Sequence, residues 1–198
     1  MNKIQFKFFT LIICTLLVIS ANTIAEDYYI GVEGGYALHD DMDEARQELA
    51  NASGQTISSP NGAGAFRGFL GYNVTEEFAV ELGGFWVSDV NFKGDGNLRV
   101  DLGAYGGDAS FIVKPKVMQG FFLKAGGVYS NLTSTVEVGG FNVDLEEDGA
   151  GYLVGAGYES SILSDDIIVR IAYSRYGALG GVSDTNSNLF SIGLILPF

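Results

Sequence analysis

Apolar residues return at every second position in eight stretches of the chain, and polar or glycine-rich connections separate them. A β-strand sends successive side chains to opposite faces, so each stretch reads as a strand with one greasy face. The last is the clearest. Phe190, Ile192, Leu194, Leu196 and Phe198 share a face that is wholly apolar and ends on an aromatic. The first, Tyr28–Leu38, puts Tyr28, Ile30, Val32, Tyr36 and Leu38 on one face and Gly31, Glu33, Gly35 and Ala37 on the other. The same split predicts strands over Ala63–Val74, Phe78–Ser88, Leu98–Val113, Phe121–Tyr129, Ala150–Glu159 and Ile167–Tyr176. Leu98–Val113 has the least regular parity, which suggests a bulge within it. Leu132–Leu145 alternates on both sides of Gly139-Gly140 and reads as a hairpin that extends the fifth and sixth strands.

Short turns at Thr75–Glu77, Lys114–Lys116 and Ser160–Asp166 alternate with longer loops at His39–Gly62, Asp89–Asn97 and Gly177–Ser187. A short helix over Ala45–Ala50 is expected in the first loop. The predicted fold is all-β: an eight-stranded, antiparallel, up-and-down transmembrane β-barrel. After the first residues no apolar run approaches the length of a membrane helix, and a closed sheet is the other way to satisfy backbone groups in lipid. The apolar face of each strand then points to lipid and the face with charges and glycines points inward. Tyr28, Tyr36, Tyr72, Trp86, Tyr129, Tyr158 and Tyr173 fall near strand ends, where barrels carry aromatic girdles. Spacing alone also fits a soluble, lipocalin-like barrel. In either barrel the terminal strand closes against Tyr28–Leu38, and Pro197, lacking an N–H, is bonded on one side only.

Residues 1–25 read as a cleaved signal peptide: Lys3 and Lys7, an apolar Phe8–Ile19, then Thr23-Ile24-Ala25 with small residues where a signal peptidase reads. The barrel domain is then 26–198. Cys14 leaves with the peptide, which removes disulfides and thiolate chemistry. Two of the 11 basic residues and none of the 24 acidic ones precede Glu26, so nine bases face 24 acids, a net charge of −15. Nucleic acid is excluded as a partner by that balance. The expected partners are outer-membrane lipid and lipopolysaccharide, with the barrel-assembly machinery during biogenesis, and the expected location is the outer membrane. The 28 glycines against 3 prolines suit strands that pack closely or line a narrow interior.

Glu33, Arg67, Glu81, Lys124 and Arg170 each sit mid-strand on the inward face. An unpaired charge in so narrow a space costs several kcal/mol, so these five should pair. They read either as a gate across a water path or as a structural plug. The plug is preferred, because eight strands enclose little more than their own side chains. Asp40, Asp41, Asp43, Glu44 and Glu48, and separately Asp144, Glu146, Glu147 and Asp148, are oxygen-rich, but their spacing matches no cation-binding loop. No metal or cofactor is expected. His39, with Ser88-Asp89 at another strand top, offers no defined catalytic arrangement, so no catalytic residues are assigned. Gly151–Gly157 lacks the helix a nucleotide loop needs.

Gly62-Ala63-Gly64-Ala65-Phe66-Arg67-Gly68-Phe69-Leu70-Gly71-Tyr72-Asn73-Val74 followed by Phe78-Ala79-Val80-Glu81-Leu82-Gly83 resembles the second and third strands of the OmpA-like transmembrane barrel family. The resemblance runs more weakly over Tyr28–Phe198 and extends to OmpX-like and opacity-type small barrels. It implies the barrel alone, without the peptidoglycan-binding domain that follows it in the family's namesake. It further implies that Glu81 and Arg170 match an interior acid and an interior arginine of a gating ion-pair network. It implies that Phe190, Ile192, Leu194, Leu196 and Phe198 form the C-terminal insertion signal. The expected function is a structural or surface-interaction role through the extracellular loops. An adhesin binding a host or phage ligand, a narrow gated pore and a lipid A-modifying enzyme are the alternatives.

Overall fold

The computed structural model describes residues 27–198 apart from 41–45, 49, 52, 53, 55, 59, 61, 95–97, 139–140, 162–166 and 184. The predicted signal peptide lies outside the described residues. The strands are β1 (Tyr28–His39), β2 (Ile57–Ser58), β3 (Gly62–Asn73), β4 (Phe78–Gly94), β5 (Leu98–Val113), β6 (Phe121–Val138), β7 (Phe141–Ser161), β8 (Ile168–Gly177) and β9 (Ser187–Pro197). Eight of them form a closed antiparallel ring in the order β1-β3-β4-β5-β6-β7-β8-β9, and β9 returns to β1 from Tyr29↔Pro197 to His39↔Ser187. Pro197 has no partner on β8, whose register with β9 begins at Ile168↔Ile195. The Phe198 N–H donates to the Tyr28 carbonyl at 2.9 Å and so completes the seam one residue beyond the proline.

Alternation sorts the side chains as the pattern predicts. Phe190, Ile192, Leu194, Leu196 and Phe198 are exposed on the outer wall, while Leu189, Ser191 and Ile195 are buried inside. Outward aromatics form two rings. Tyr28, Tyr72, Tyr158 and Phe198 lie at the end that carries the short turns, and Tyr28 packs at a tilt on Tyr72 and stacks on Phe198. Tyr36, Trp86, Tyr129, Tyr173 and Phe190 lie at the other, where Tyr173 packs on Phe190. Tyr28 to Tyr36 is eight residues, about 26 Å along a strand, the scale of a barrel's apolar band of ~25 Å. Among the described residues no helix is long and apolar enough to cross a membrane; the strands do the crossing.

Two expectations are corrected. The suspected bulge is not in β5, whose inward parity runs unbroken from Val100 to Ile112. It lies in β4, where Val87 pairs with Ala104 but Val90 pairs with Leu102, so Ser88-Asp89 holds one extra residue. Asp89–Asn97 is therefore not a loop over its whole length. Beyond the bulge β4 continues to Gly94 on the opposite parity, turning Val90 and Phe92 inward. The hairpin is as predicted: β6 and β7 pair without slippage from Phe121↔Tyr158 to Val138↔Phe141. Residues 46–48 and 50–51 of the first loop are helical.

Strands β4 to β7 thus stand well above the outer aromatic ring as a curved sheet. Its inward side is partly packed by Ile57, Val90, Phe92 and Val100. The last loop enters the mouth through a 3-10 turn, Leu179–Gly181. Left-handed Gly180 (φ 65) and Gly181 (φ 77) bend the chain so that Leu179 is buried. The Gly180 N–H is held by Ser130 Oγ at 2.8 Å.

Candidate functional site

The barrel interior is layered. At the short-turn end Tyr29, Phe69, Ala79, Ile112, Phe122 and Ile195 form an apolar floor. At the other end Phe85, Val87, Val128, Leu153, Tyr176 and Leu179 form an apolar ceiling. The charges lie between them. A cavity of about 10 Å³ beside Phe85, Tyr176 and Leu179 has room for no more than one water.

Register makes the space for these charges. Glu33 and Arg170 each stand opposite Gly193, Glu81 opposite Gly71, Asp108 opposite Gly83 and Lys124 opposite Gly155. A long side chain can lie across the ring only where its neighbour has no side chain, which gives the inward glycines a definite use. A Cβ on Gly193 would come within 2.4 Å of the Val32 carbonyl oxygen and 2.7 Å of Glu33 Cγ. Gly193→Val should therefore cost about 1–3 kcal/mol, read as a lower urea midpoint for loss of the heat-resistant folded band. Retention of the wild-type midpoint would contradict this account of the glycines.

Arg67 and Arg170 are 0 % exposed. Arg67 grips Asp108 with two parallel bonds, Nε to Oδ2 at 2.9 Å and the second guanidinium nitrogen to Oδ1 at 2.7 Å. It also reaches Glu81 Oε2 at 3.1 Å. Arg170 meets Glu81 Oε1 at 2.7 Å, Glu33 Oε1 at 3.2 Å and Glu159 Oε1 at 2.5 Å. Glu81 bridges the two arginines and accepts a third bond from Tyr29 Oη at 3.1 Å, and Ser191 Oγ donates to Glu33 Oε2 at 3.2 Å. Phe69 lies under both guanidinium groups, with its ring centroid 4.6 Å from Arg67 Cζ and 4.8 Å from Arg170 Cζ. Phe122 adds a second face beneath Arg170 at 4.7 Å. Such fork and stacking geometry is available to arginine and not to lysine. Lys124 is buried nearby and its Nζ hydrogen-bonds to no described residue.

All five charges expected to line the interior are buried there. The pattern missed two carboxylates that complete the network. Asp108 sits on the inward parity of β5, but that strand's apparent irregularity hid its facing. Glu159 lies two residues before the end of β7, where it also takes Lys114 Nζ at 3.0 Å. A strand end carries no parity signal of its own.

His39 does not meet Ser88-Asp89. It lies opposite Ser187 on β9, whereas Ser88 and Asp89 are two strands away on β4. Burial holds the His39 imidazole below its ordinary pKa, against the opposing pull of Asp40.

Outside the membrane the sheet made by β4–β7 has two unlike faces. Its outer face is polar: the Thr135 hydroxyl donates to Asp144 at 2.9 Å and Tyr129 to Asp148. Arg99 pairs with Asp101 at 2.9 Å. Its inner face is apolar and incompletely covered, with Val143 54 % and Leu145 57 % exposed.

A closed ring of eight antiparallel strands, apolar outside and charge-filled inside, defines a small outer-membrane barrel. The family model for the OmpA-like transmembrane domain matches residues 23–195, and the chain belongs to that family. It is a protein of the outer membrane. No curated protein matches it in sequence. Among solved structures it is similar to Ail, the attachment invasion locus protein of Yersinia pestis. The two share 11% identity and a TM-score of 0.57 over 87% of this chain and 99% of that one. It is also similar to the Neisserial surface protein A, with 18% identity and a TM-score of 0.51 over 86% of this chain and 97% of that one. At these identities the likeness is one of fold.

Proposed function

We propose that this barrel is a membrane-anchored platform with a structural and surface-interaction role, carried by the sheet that β4–β7 raise outside the membrane. One contrast supports the reading. The axis is filled by apolar layers and ion pairs, while the projecting sheet has a polar outer face in the medium and an apolar inner face that is only partly covered. A pore would need a continuous polar path, and the floor and ceiling interrupt one. Ail is an attachment invasion locus protein, and one of its structures is a complex with the heparin analogue sucrose octasulfate. An attachment role suits the present chain, but a sulfated ligand does not, because Asp144, Glu146, Glu147 and Asp148 make the projecting hairpin acidic. In the same reading Phe190–Phe198 presents its outer face to the assembly machinery and the two aromatic rings seat the barrel at the lipid boundaries.

The test replaces residues 132–147 by an Asn-Gly turn joining Asn131 to Asp148, a two-residue connection that suits a hairpin. Bacteria displaying this variant should adhere to cultured epithelial cells at least about tenfold less well than those displaying the full chain, with heat-modifiable migration unchanged. Equal adhesion by a folded, shortened variant would overturn the proposal.

A further inference from the structure

The barrel rim is notched at the end that carries the short turns. β6 begins at Phe121, opposite Tyr158, whereas β7 runs on beside β8 to Ser161↔Ile168. Glu159, Ser160 and Ser161 therefore overhang β6, and the Glu159 N–H donates to the Gly120 carbonyl in the turn before it. The notch forms an open cleft of about 510 Å³, a size that suits a small-molecule site.

The lining carries both signs of charge. Lys114, Lys116, Ser160 and Ser161 bring donors, and Glu76 and Glu159 bring carboxylates. Glu159 is already engaged, with Oε1 on Arg170 and Oε2 on Lys114 at 3.0 Å. An ammonium has three donors, so Lys114 keeps others for the cleft. Lys116 and Glu76 are held loosely. Lys116 Nζ lies 3.4 Å from Glu76 and 3.5 Å from Glu77, and all three side chains are exposed. Exposed ion pairs of this kind are weak and easily exchanged. One wall of the cleft meets the membrane. Phe121 lines it, stands on the outward parity of β6, and packs edge-on against Tyr158 of the aromatic ring with centroids 5.1 Å apart. Such rings lie at the boundary between lipid and water.

We propose that this cleft binds a phospholipid whose headgroup joins a phosphodiester to a primary ammonium, drawn from the leaflet at the short-turn end. Lys114, Lys116 and the Ser160 hydroxyl hold the phosphate, with the lysines acting as point charges. The lipid ammonium replaces Lys116 at Glu76, and the acyl chains pass Phe121 onto the outer wall at Leu123. A purely anionic headgroup would meet Glu76 and Glu159 without a cation of its own, and a purely cationic one would meet Lys114 and Lys116. The inference is independent of the surface-interaction reading, which concerns the opposite end of the barrel.

The experiment is native mass spectrometry of the full chain, folded in a glycoside detergent and titrated with one phospholipid at a time. Phosphatidylethanolamine should be retained as a single molecule. Phosphatidylcholine, whose ammonium has no N–H, and phosphatidylglycerol, which has no cation, should each bind at least about tenfold more weakly. Lys116→Ala should weaken retention of phosphatidylethanolamine at least about fivefold, and Glu76→Gln should narrow its advantage over phosphatidylcholine to about twofold. Both side chains are exposed, so unchanged heat-modifiable migration is expected of both variants. Lys93→Ala, which removes an exposed cation at the other end, should change nothing. Equal retention of the three lipids, or wild-type retention by Lys116→Ala, would overturn the site. Displacement of the lipid by an equal concentration of water-soluble glycerophosphoethanolamine would overturn its assignment to a membrane lipid, because the acyl chains would then contribute nothing.

Discussion

Arg67→Met should be the most damaging single change inside the barrel, lowering stability by about 3–5 kcal/mol. The guanidinium of Arg67 satisfies both oxygens of Asp108 and one of Glu81. Methionine keeps most of the volume but leaves the buried carboxylate of Asp108 without its partner. The cost is therefore the uncompensated charge of Asp108 rather than lost packing. Two companions separate these terms. Lys124→Met should cost much less, because its Nζ hydrogen-bonds to no described residue. Arg67→Met combined with Asp108→Leu should recover much of the loss, since the orphaned charge leaves with its partner. Urea titration of the folded band in detergent gives all three. A single replacement no worse than Lys124→Met would show that the arginine fork is not what holds the plug.

The second large effect concerns the outer wall. Leu194 lies midway between Phe190 and Phe198 and faces lipid opposite Val32 of β1 and Val169 of β8. An arginine there sits near the middle of the hydrocarbon and should cost about 2–4 kcal/mol, whereas Leu196→Arg, one outward position nearer the boundary, should cost about 1 or less. The gradient is the informative quantity. A soluble barrel would tolerate both arginines, because both side chains would lie in water. Unfolding in phospholipid vesicles measures the pair, and equal small costs would contradict the lipid-facing assignment.

The two predictions draw on what the sequence made readable and what it did not. Period-two alternation needs no tertiary information, so eight strands, their inward faces and the β1–β9 seam could be read directly from Tyr28–Leu38 and Phe190–Phe198. The five mid-strand charges followed, because parity fixes their side. Three things did not follow. The Ser88-Asp89 bulge reverses parity, so Val90 and Phe92 appear to continue the lipid face, and the polar Lys93-Gly94 beside them looks like loop. Asp108 was lost in the strand whose irregularity belonged to its partner. Glu159 and Lys114 meet at a rim, where a strand end and a turn come together only through the closure of the ring. Nor does alternation tell that β2 pairs with one edge of the projecting sheet while, among the described residues, no strand pairs with the other edge before Tyr152, because pairing partners are a property of the closed topology.

The most direct test of the whole account is labelling from one side of the membrane. Val143 lies in the projecting hairpin and Lys116 in a short turn at the opposite end of the barrel. In intact cells carrying the Val143→Cys variant, a membrane-impermeant maleimide should label the protein at once. The Lys116→Cys variant should react only after the outer membrane is permeabilised. Labelling of Lys116→Cys in intact cells, with Val143→Cys protected, would contradict the orientation and with it the placing of the protein's role on the β4–β7 sheet.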